Sequence, residues 1–224
     1  MIRVIFLMVS LLMAPVGFAI TPDFNLWTTV VFNGKFSSDS PYFYQFETHF
    51  RFNDDPLSLW QNVDRIRLGK HQNKNLDFVI GVDYVPTQPA NKKWIEFQVL
   101  WQQITYKAFL DPYWRMSFWG RIEQRRLQGR SDTEWRVRNV IKIDRCRQAL
   151  GACPIAFVEN FTNIYRPDWE GLNTLGQQRV YVGVKQKFTP KTSMNIGYLG
   201  QFLWTKSINR RVDIMSVVFF HSFD

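Results

Sequence analysis

Residues 42–52 read YFYQFETHFRF, from Tyr42 to Phe52, and alternate without a break. Tyr42, Tyr44, Phe46, Thr48, Phe50 and Phe52 fall on one side. Gln45, Glu47, His49 and Arg51 fall on the other, with Phe43 the one apolar exception. Side chains along a strand point alternately to its two faces, so this segment has an apolar face and a charged face. The pattern recurs over 24–33, 61–70, 76–85, 93–106, 112–126, 133–145, 154–162, 177–188, 191–204 and 210–223. Many of these runs exceed the ~5–6 residues of soluble strands and match the ~9–11 that cross a bilayer at a tilt. Turn chemistry separates them at Asn53-Asp54-Asp55-Pro56, Pro86 to Asn91, Gln128 to Asp132 and Thr189-Pro190-Lys191.

The expected fold is all-β: a single antiparallel transmembrane β-barrel of 10–12 strands with a periplasmic C-terminus. Bacterial single-chain barrels have even strand numbers, and the pattern gives eleven. Counting back from the C-terminus, the short turns at 71–75, 107–111 and 189–190 share one side. The segments at 53–60, 86–92, 127–132, 163–176 and 205–209 face the other. That arrangement uses ten strands and leaves 24–33 without a place.

Residues 1–19 carry Arg3, an apolar stretch from Val4 to Met13, Pro15, and small residues at Gly17 and Ala19. They read as a cleaved secretory signal, too short for a spanning helix, with the barrel domain over 20–224. No later stretch approaches 18 consecutive apolar residues. Mean hydropathy is −0.24, which fits a soluble chain and a membrane barrel equally, since only alternate barrel residues meet lipid. The formal net charge of +9 suits anionic partners: lipopolysaccharide phosphates or small anions in a pore. Export sets nucleic acid aside. Cys146 and Cys153 flank a short loop and are expected to form a disulfide in an oxidising periplasm.

Two hairpins can be registered from the sequence, the first by charge and the second by matching its apolar and polar faces. Pairing 112–126 with 133–145 sets Arg125 against Glu134 and Glu123 against Arg136 on one face. Ile122 then meets Val137, and Phe118 meets Ile141, on the other. Pairing 177–188 with 191–204 sets Val184 against Ile196, Val182 against Tyr198, Lys185 against Asn195 and Gly183 against Gly197. Period two does not say which face looks outward. Bulky ion pairs on the polar faces suit an enclosed lumen. Aromatics near strand ends (Trp27, Tyr42, Trp60, Tyr84, Trp94, Tyr106, Tyr113, Trp114, Trp135 and Trp204) suit two membrane interfaces. The last strand ends in Phe219, Phe220 and Phe223, one residue short of Asp224.

Several short motifs recur in order: Glu47-x-x-x-Arg51-Phe52, Arg65-x-Arg67-x-Gly69, and Glu96 followed by Trp101-Gln102-Gln103. Further on come Arg121-x-Glu123-Gln124-Arg125, Arg136-x-Arg138, Glu159-Asn160-Phe161-x-Asn163, Gln177-Gln178-Arg179 and Gly197-Tyr198-Leu199-x-Gln201. On these the chain resembles a family of bacterial outer-membrane β-barrel proteins with a domain of unknown function. It departs from that pattern at Gln178, where Asn is more usual, and at Arg210-Arg211 after Asn209, where a His is usual. The resemblance implies the barrel and its topology, and brings no activity.

Glycine-rich phosphate loops, zinc-protease helices and serine-hydrolase elbows are absent from the sequence. The main constellation is an inward ladder of Arg115, Arg121, Glu123, Arg125, Glu134, Arg136 and Arg138, with Glu159 and Arg179 on nearby strands. It fits an anion-selective constriction. Salt bridges that fill a narrow lumen are nonetheless the reading to prefer for the ladder itself, because so few strands leave little room for water. His49, between Glu47 and Arg51, is the one histidine placed for acid–base work, and Ser117 shares its inward parity. Lys92, Lys93, Arg130, Arg166, Lys206, Arg210 and Arg211 are candidate lipopolysaccharide contacts in the outward segments. Three readings follow: a small anion-leaning pore, a closed structural or lipopolysaccharide-binding barrel, and an outer-membrane lipid-modifying hydrolase or protease. The first is the leading one, and an enzyme is not expected. The expected location is the outer membrane of a Gram-negative bacterium. The expected partners are its lipid and lipopolysaccharide, and the barrel-assembly machinery through the C-terminal strand. No cofactor or metal is expected.

Overall fold

The computed structural model describes residues 22–53, 58–88, 93–110, 113–145, 151–206 and 208–223. The expected signal peptide, Lys92 and Cys146 lie outside the described residues. Among the described residues there are eleven strands: β1 (Pro22–Lys35), β2 (Tyr42–Phe52), β3 (Leu59–His71), β4 (Leu76–Thr87), β5 (Ile95–Phe109), β6 (Trp114–Leu127), β7 (Thr133–Arg145), β8 (Ala152–Tyr165), β9 (Leu172–Lys187), β10 (Thr192–Thr205) and β11 (Arg210–Ser222). They close into one barrel in chain order.

The closure corrects two expectations. Segment 24–33, left without a place by the even-number rule, is a full wall strand. It pairs with β2 on one side and β11 on the other. The count is therefore eleven, neither ten nor twelve. An up-and-down chain with an odd number of strands returns with its last strand pointing the same way as its first, so the β1–β11 seam is parallel while the other pairs are antiparallel. The sheet is mixed, not wholly antiparallel.

The seam is open to a direct check. Thr28 and Val217 are register partners across it. Thr28→Cys with Val217→Cys, in a chain carrying Cys146→Ala and Cys153→Ala, is expected to cross-link within the molecule on mild oxidation, seen as a gel mobility shift. No intramolecular cross-link would rule out the parallel closure.

Both hairpin registers are borne out. Arg125 faces Glu134, Glu123 faces Arg136, Ile122 faces Val137 and Phe118 faces Ile141. Val184 faces Ile196, Val182 faces Tyr198, Lys185 faces Asn195 and Gly183 faces Gly197. The β1–β2, β3–β4, β5–β6, β7–β8 and β9–β10 connections share one rim with the end of β11, here the C-terminal rim. The other five connections share the N-terminal rim with Pro22. Extension of β8 and β9 shrinks the expected loop 163–176 to 166–171.

Burial is inverted with respect to a soluble protein. Trp101 and Glu134 are 0 % exposed, Glu123 1 % and Arg121 3 %, all facing the lumen. On the outer wall Ile66 is 54 % exposed, Ile80 57 % and Ile104 53 %. Water-soluble folds bury isoleucine and leave arginine and glutamate outside. Aromatics ring both ends of this apolar wall: Tyr42, Tyr106 and Tyr113 at the C-terminal rim, and Tyr84, Trp94 and Trp135 at the N-terminal rim, all exposed. Two tryptophans depart from the girdle expected of them. Trp27 has the inward parity of Asn25 and Thr29 and is buried. Trp60 lines the lumen because a bulge at Arg51/Phe52 shifts the β2–β3 register there.

Candidate functional site

The inward polar side chains join into a belt around the waist of the barrel. It starts on β2, where Glu47 accepts from Arg65 Nη1 at 3.0 Å and lies 2.7 Å from Arg67 Nη2. Arg65 spans to β4, donating to both carboxylate oxygens of Asp83 at 2.8 and 2.7 Å. Asp83 also accepts from the Trp101 indole N–H of β5 at 2.6 Å. A charged, bidentate pair of this kind fixes orientation as well as distance.

Trp101 is a platform. Its ring lies flat against Gly81, where a Cβ would sit 2.2 Å from ring atom Cζ2, so only glycine leaves the room. The Arg121 guanidinium of β6 stacks over the ring, 3.7 Å from its centroid. Arg121 also donates from Nε and Nη2 to Gln103 Oε1 at 3.0 and 2.6 Å. Beside it, Glu123 accepts from Arg136 Nη2 at 2.5 Å, with Arg138 at 3.5 Å and Arg121 at 3.6 Å. Arg138 Nε donates to Glu159 of β8 at 2.5 Å, Arg179 of β9 reaches the same carboxylate at 3.2 Å, and Arg179 donates to Gln201 of β10. Arg179 and Arg51 both stack on the Trp27 ring of β1, at 4.9 and 4.1 Å. The belt thus visits every strand from β1 to β10.

A second cluster sits toward the N-terminal rim. Arg125 pairs with the buried Glu134 and, at 3.2 Å, with Glu170. Glu170 comes from the 166–171 loop, which folds inward so that Trp169 meets Phe97, ring centroids 6.0 Å apart.

The ladder expected from sequence is therefore inward, and most of it is joined: Arg121, Glu123, Arg136, Arg138, Glu159 and Arg179 lie in the belt, Arg125 and Glu134 in the cluster beside it. Arg115 is apart from these, paired with Asp144 near the C-terminal rim. Sequence reasoning did not single out Arg51, Arg65, Arg67, Asp83, Trp101 or Trp27 as site residues. Their inward parity was readable; most of their partners on neighbouring strands were not. His49 hydrogen-bonds to Thr29 Oγ1 at 2.9 Å and Glu47 Oε2 at 3.1 Å, and so belongs to the belt. His71 pairs with Asp77, and His221 contacts Thr192. Lys93, Arg130, Arg166, Lys206, Arg210 and Arg211 share the N-terminal rim. Of these, Arg211 is tied to Asp213 and Tyr198, and Arg166 donates to the Leu172 carbonyl. Cys153 is buried at the start of β8; the expected pairing with Cys146 lies outside the described residues.

The belt divides the lumen. A chamber of about 310 Å³ lies on its C-terminal side, reaching Thr29, Lys142, Tyr181 and Asn195. One of about 340 Å³ lies on its N-terminal side, reaching Trp60, Thr87, Phe97 and Trp169. Arg51, Arg65, Arg138, Arg179 and Trp27 line both. Seven cationic side chains and only two carboxylates, Glu47 and Glu159, line the C-terminal chamber. Six cations and three carboxylates line the other. In an enclosed space of low dielectric such an excess attracts anions and repels cations.

The model of one protein family, described as a protein of unknown function (DUF2490), matches residues 24–212. No curated protein and no solved structure matches the chain.

Proposed function

The chain belongs to that family of unknown function, and from the site alone we propose that it is an outer-membrane β-barrel whose lumen passes small anions through a narrow, charged waist. The inverted burial supports the membrane part of this reading. An outer wall of exposed isoleucine, leucine, valine and phenylalanine between two aromatic rings has the composition of a lipid-facing band. The C-terminal rim faces the periplasm, and the basic N-terminal rim faces out. The signal-like segment 1–19 supports export of the chain across the inner membrane, as this reading requires.

The observation that carries the anion reading is the excess of cations over carboxylates around both chambers. In rings lining a pore, arginine and lysine set anion selectivity. The waist is packed in this conformation, with Trp101 and Glu123 out of reach of water. Conduction is therefore expected in small discrete steps, well below those of open porins. Refolded protein in a planar bilayer under a KCl gradient is expected to give a reversal potential on the anion side. Arg51→Glu should move it toward the cation side, because Arg51 lines both chambers and holds no carboxylate among the described residues whose charge would be released. An unmoved reversal potential would count against the lumen as the path.

A second reading is favoured by the same packed waist: a closed barrel that binds lipopolysaccharide phosphates through the basic residues of its N-terminal rim. Silence in the bilayer from protein shown to be folded, with lipopolysaccharide binding that weakens as salt rises, selects it.

A further inference from the structure

The cation excess is not spread evenly through the lumen. On the N-terminal side Arg125 is shared by Glu134 and Glu170, and Arg136 is bonded to Glu123. Lys142, on the C-terminal side, and Arg51, which lines both chambers, have no ion-pair partner among the described residues. Arg51 donates to the uncharged Gln61 and rests on Trp27. Buried cations are tolerated when paired, and a cluster left in excess requires an anion from elsewhere.

Unused donors mark where that anion sits. Arg121 Nη1, on a side chain 3 % exposed, makes no hydrogen bond; the nearest carboxylate oxygen, on Glu123, is 3.6 Å away. The Nε groups of Arg51 and Arg67 are likewise buried without a hydrogen-bond partner. So is the Tyr181 hydroxyl, which is held against the wall where Gly183 and Gly197 lack a Cβ. All four residues line the C-terminal chamber, with Lys142. They come from β2, β3, β6 and β9, with Lys142 from β7, so they surround a volume rather than form one flat patch.

We propose that the C-terminal chamber is a binding site for one small phosphate-type oxyanion, held by Arg51, Arg67, Arg121, Lys142 and the Tyr181 hydroxyl. Guanidinium groups present paired N–H donors that match phosphate oxygens, and donors from several directions suit a tetrahedral group better than a planar one. A chamber of about 310 Å³ has room for inorganic phosphate or a small phosphorylated solute. The inference rests on the anion-taking lumen but not on conduction through it.

The test titrates the folded full chain, in a phosphate-free detergent at constant ionic strength, with inorganic phosphate replacing chloride. Calorimetry and thermal unfolding are read together. Saturable binding of one phosphate, with a rising unfolding temperature, is expected. Lys142→Gln and Arg51→Gln should each weaken that binding by about tenfold. Lys142→Gln should not lower the unfolding temperature without phosphate, because it removes a cation that lacks an ion-pair partner among the described residues. Arg51→Gln also loses the Gln61 hydrogen bond and the Trp27 stack, so its binding is read against its own phosphate-free baseline. Lys142→Arg should retain binding, which separates lost charge from lost packing. A phosphate response no larger than that of chloride overturns the proposal, as does a response unchanged in both glutamine variants. Stabilisation by added lipopolysaccharide but not by free phosphate also overturns it, since the phosphate is then a headgroup at the rim. Binding with a silent bilayer removes the pore and keeps the site; conduction without binding does the reverse.

Discussion

Glu123→Gln is expected to cost about 3–5 kcal/mol of folding stability, the cost typical of removing one partner from a buried ion pair. Glu123 is 1 % exposed and is approached by three guanidiniums, from Arg121, Arg136 and Arg138. Glutamine fills the same space and removes only the charge, so the cost reports electrostatics and not a cavity. Arg138 would keep Glu159, shared with Arg179, while Arg121 and Arg136 would be left without an ion-pair partner among the described residues. The measurement is the urea midpoint of the chain in micelles, followed by tryptophan fluorescence and by the heat-dependent gel shift of a folded barrel. Glu170→Gln is the internal comparison. It leaves Glu134 on Arg125, so its loss should be clearly smaller. Equal losses would mean that the belt behaves as a set of screened pairs with no buried charge balance.

The second large effect is expected at Trp101. Trp101→Ala should cost about 3–5 kcal/mol, the range for a large buried aromatic. The ring is 0 % exposed, donates to Asp83, and carries Arg121 on its face. Its removal therefore opens a void and releases two charged groups. Gly81→Ala attacks the same contact from the other side, since the new methyl would meet the ring at 2.2 Å, and overpacking of this kind costs about 1–3 kcal/mol. Combined in one chain, the two changes should cost less than their sum, because the methyl then occupies part of the void. Urea midpoints of the single and double variants give the coupling. Additive losses would show that Gly81 and Trp101 do not share the contact described.

Much of this barrel can be read along the chain, and the reason is local. Alternation fixes which residues share a face, and complementary pairs across short turns fix register, by charge at Arg125–Glu134 and by apolar match at Val184–Ile196. What could not be read depends on closure. Segment 24–33 shows clean alternation, but its second neighbour is β11, at the far end of the chain, and the even-number rule pointed away from an eleventh wall strand. Trp27 lies near a strand end, where tryptophan suggests an interface, yet its parity with Asn25 and Thr29 already placed it inside. Half of the belt had the right parity and no visible partner. Pairing Glu47 with Arg65 needs the register of a hairpin whose longer loop leaves it free. Arg65 with Asp83, by contrast, crosses the short turn at 71–75 and was open to the same register argument as Arg125 with Glu134. The convergence of Arg51, Arg121, Lys142 and Tyr181 on one chamber exists only once the wall is curved shut.

The parallel seam also sets an order of events. Every other strand pair joins neighbours in sequence, so ten of the eleven interfaces can zip up as the chain lengthens. The β1–β11 interface joins Pro22 to Arg211 and Asn33 to Ser222, a loop spanning nearly the whole chain, and contacts of such separation form late. Until then β1 presents a raw edge to its surroundings. If the barrel spans a membrane, the finished wall also leaves Pro22 and Ser222 in different compartments. Reporter domains fused at the two ends should then answer to opposite sides of the bilayer, a property that a barrel with an even number of strands cannot have.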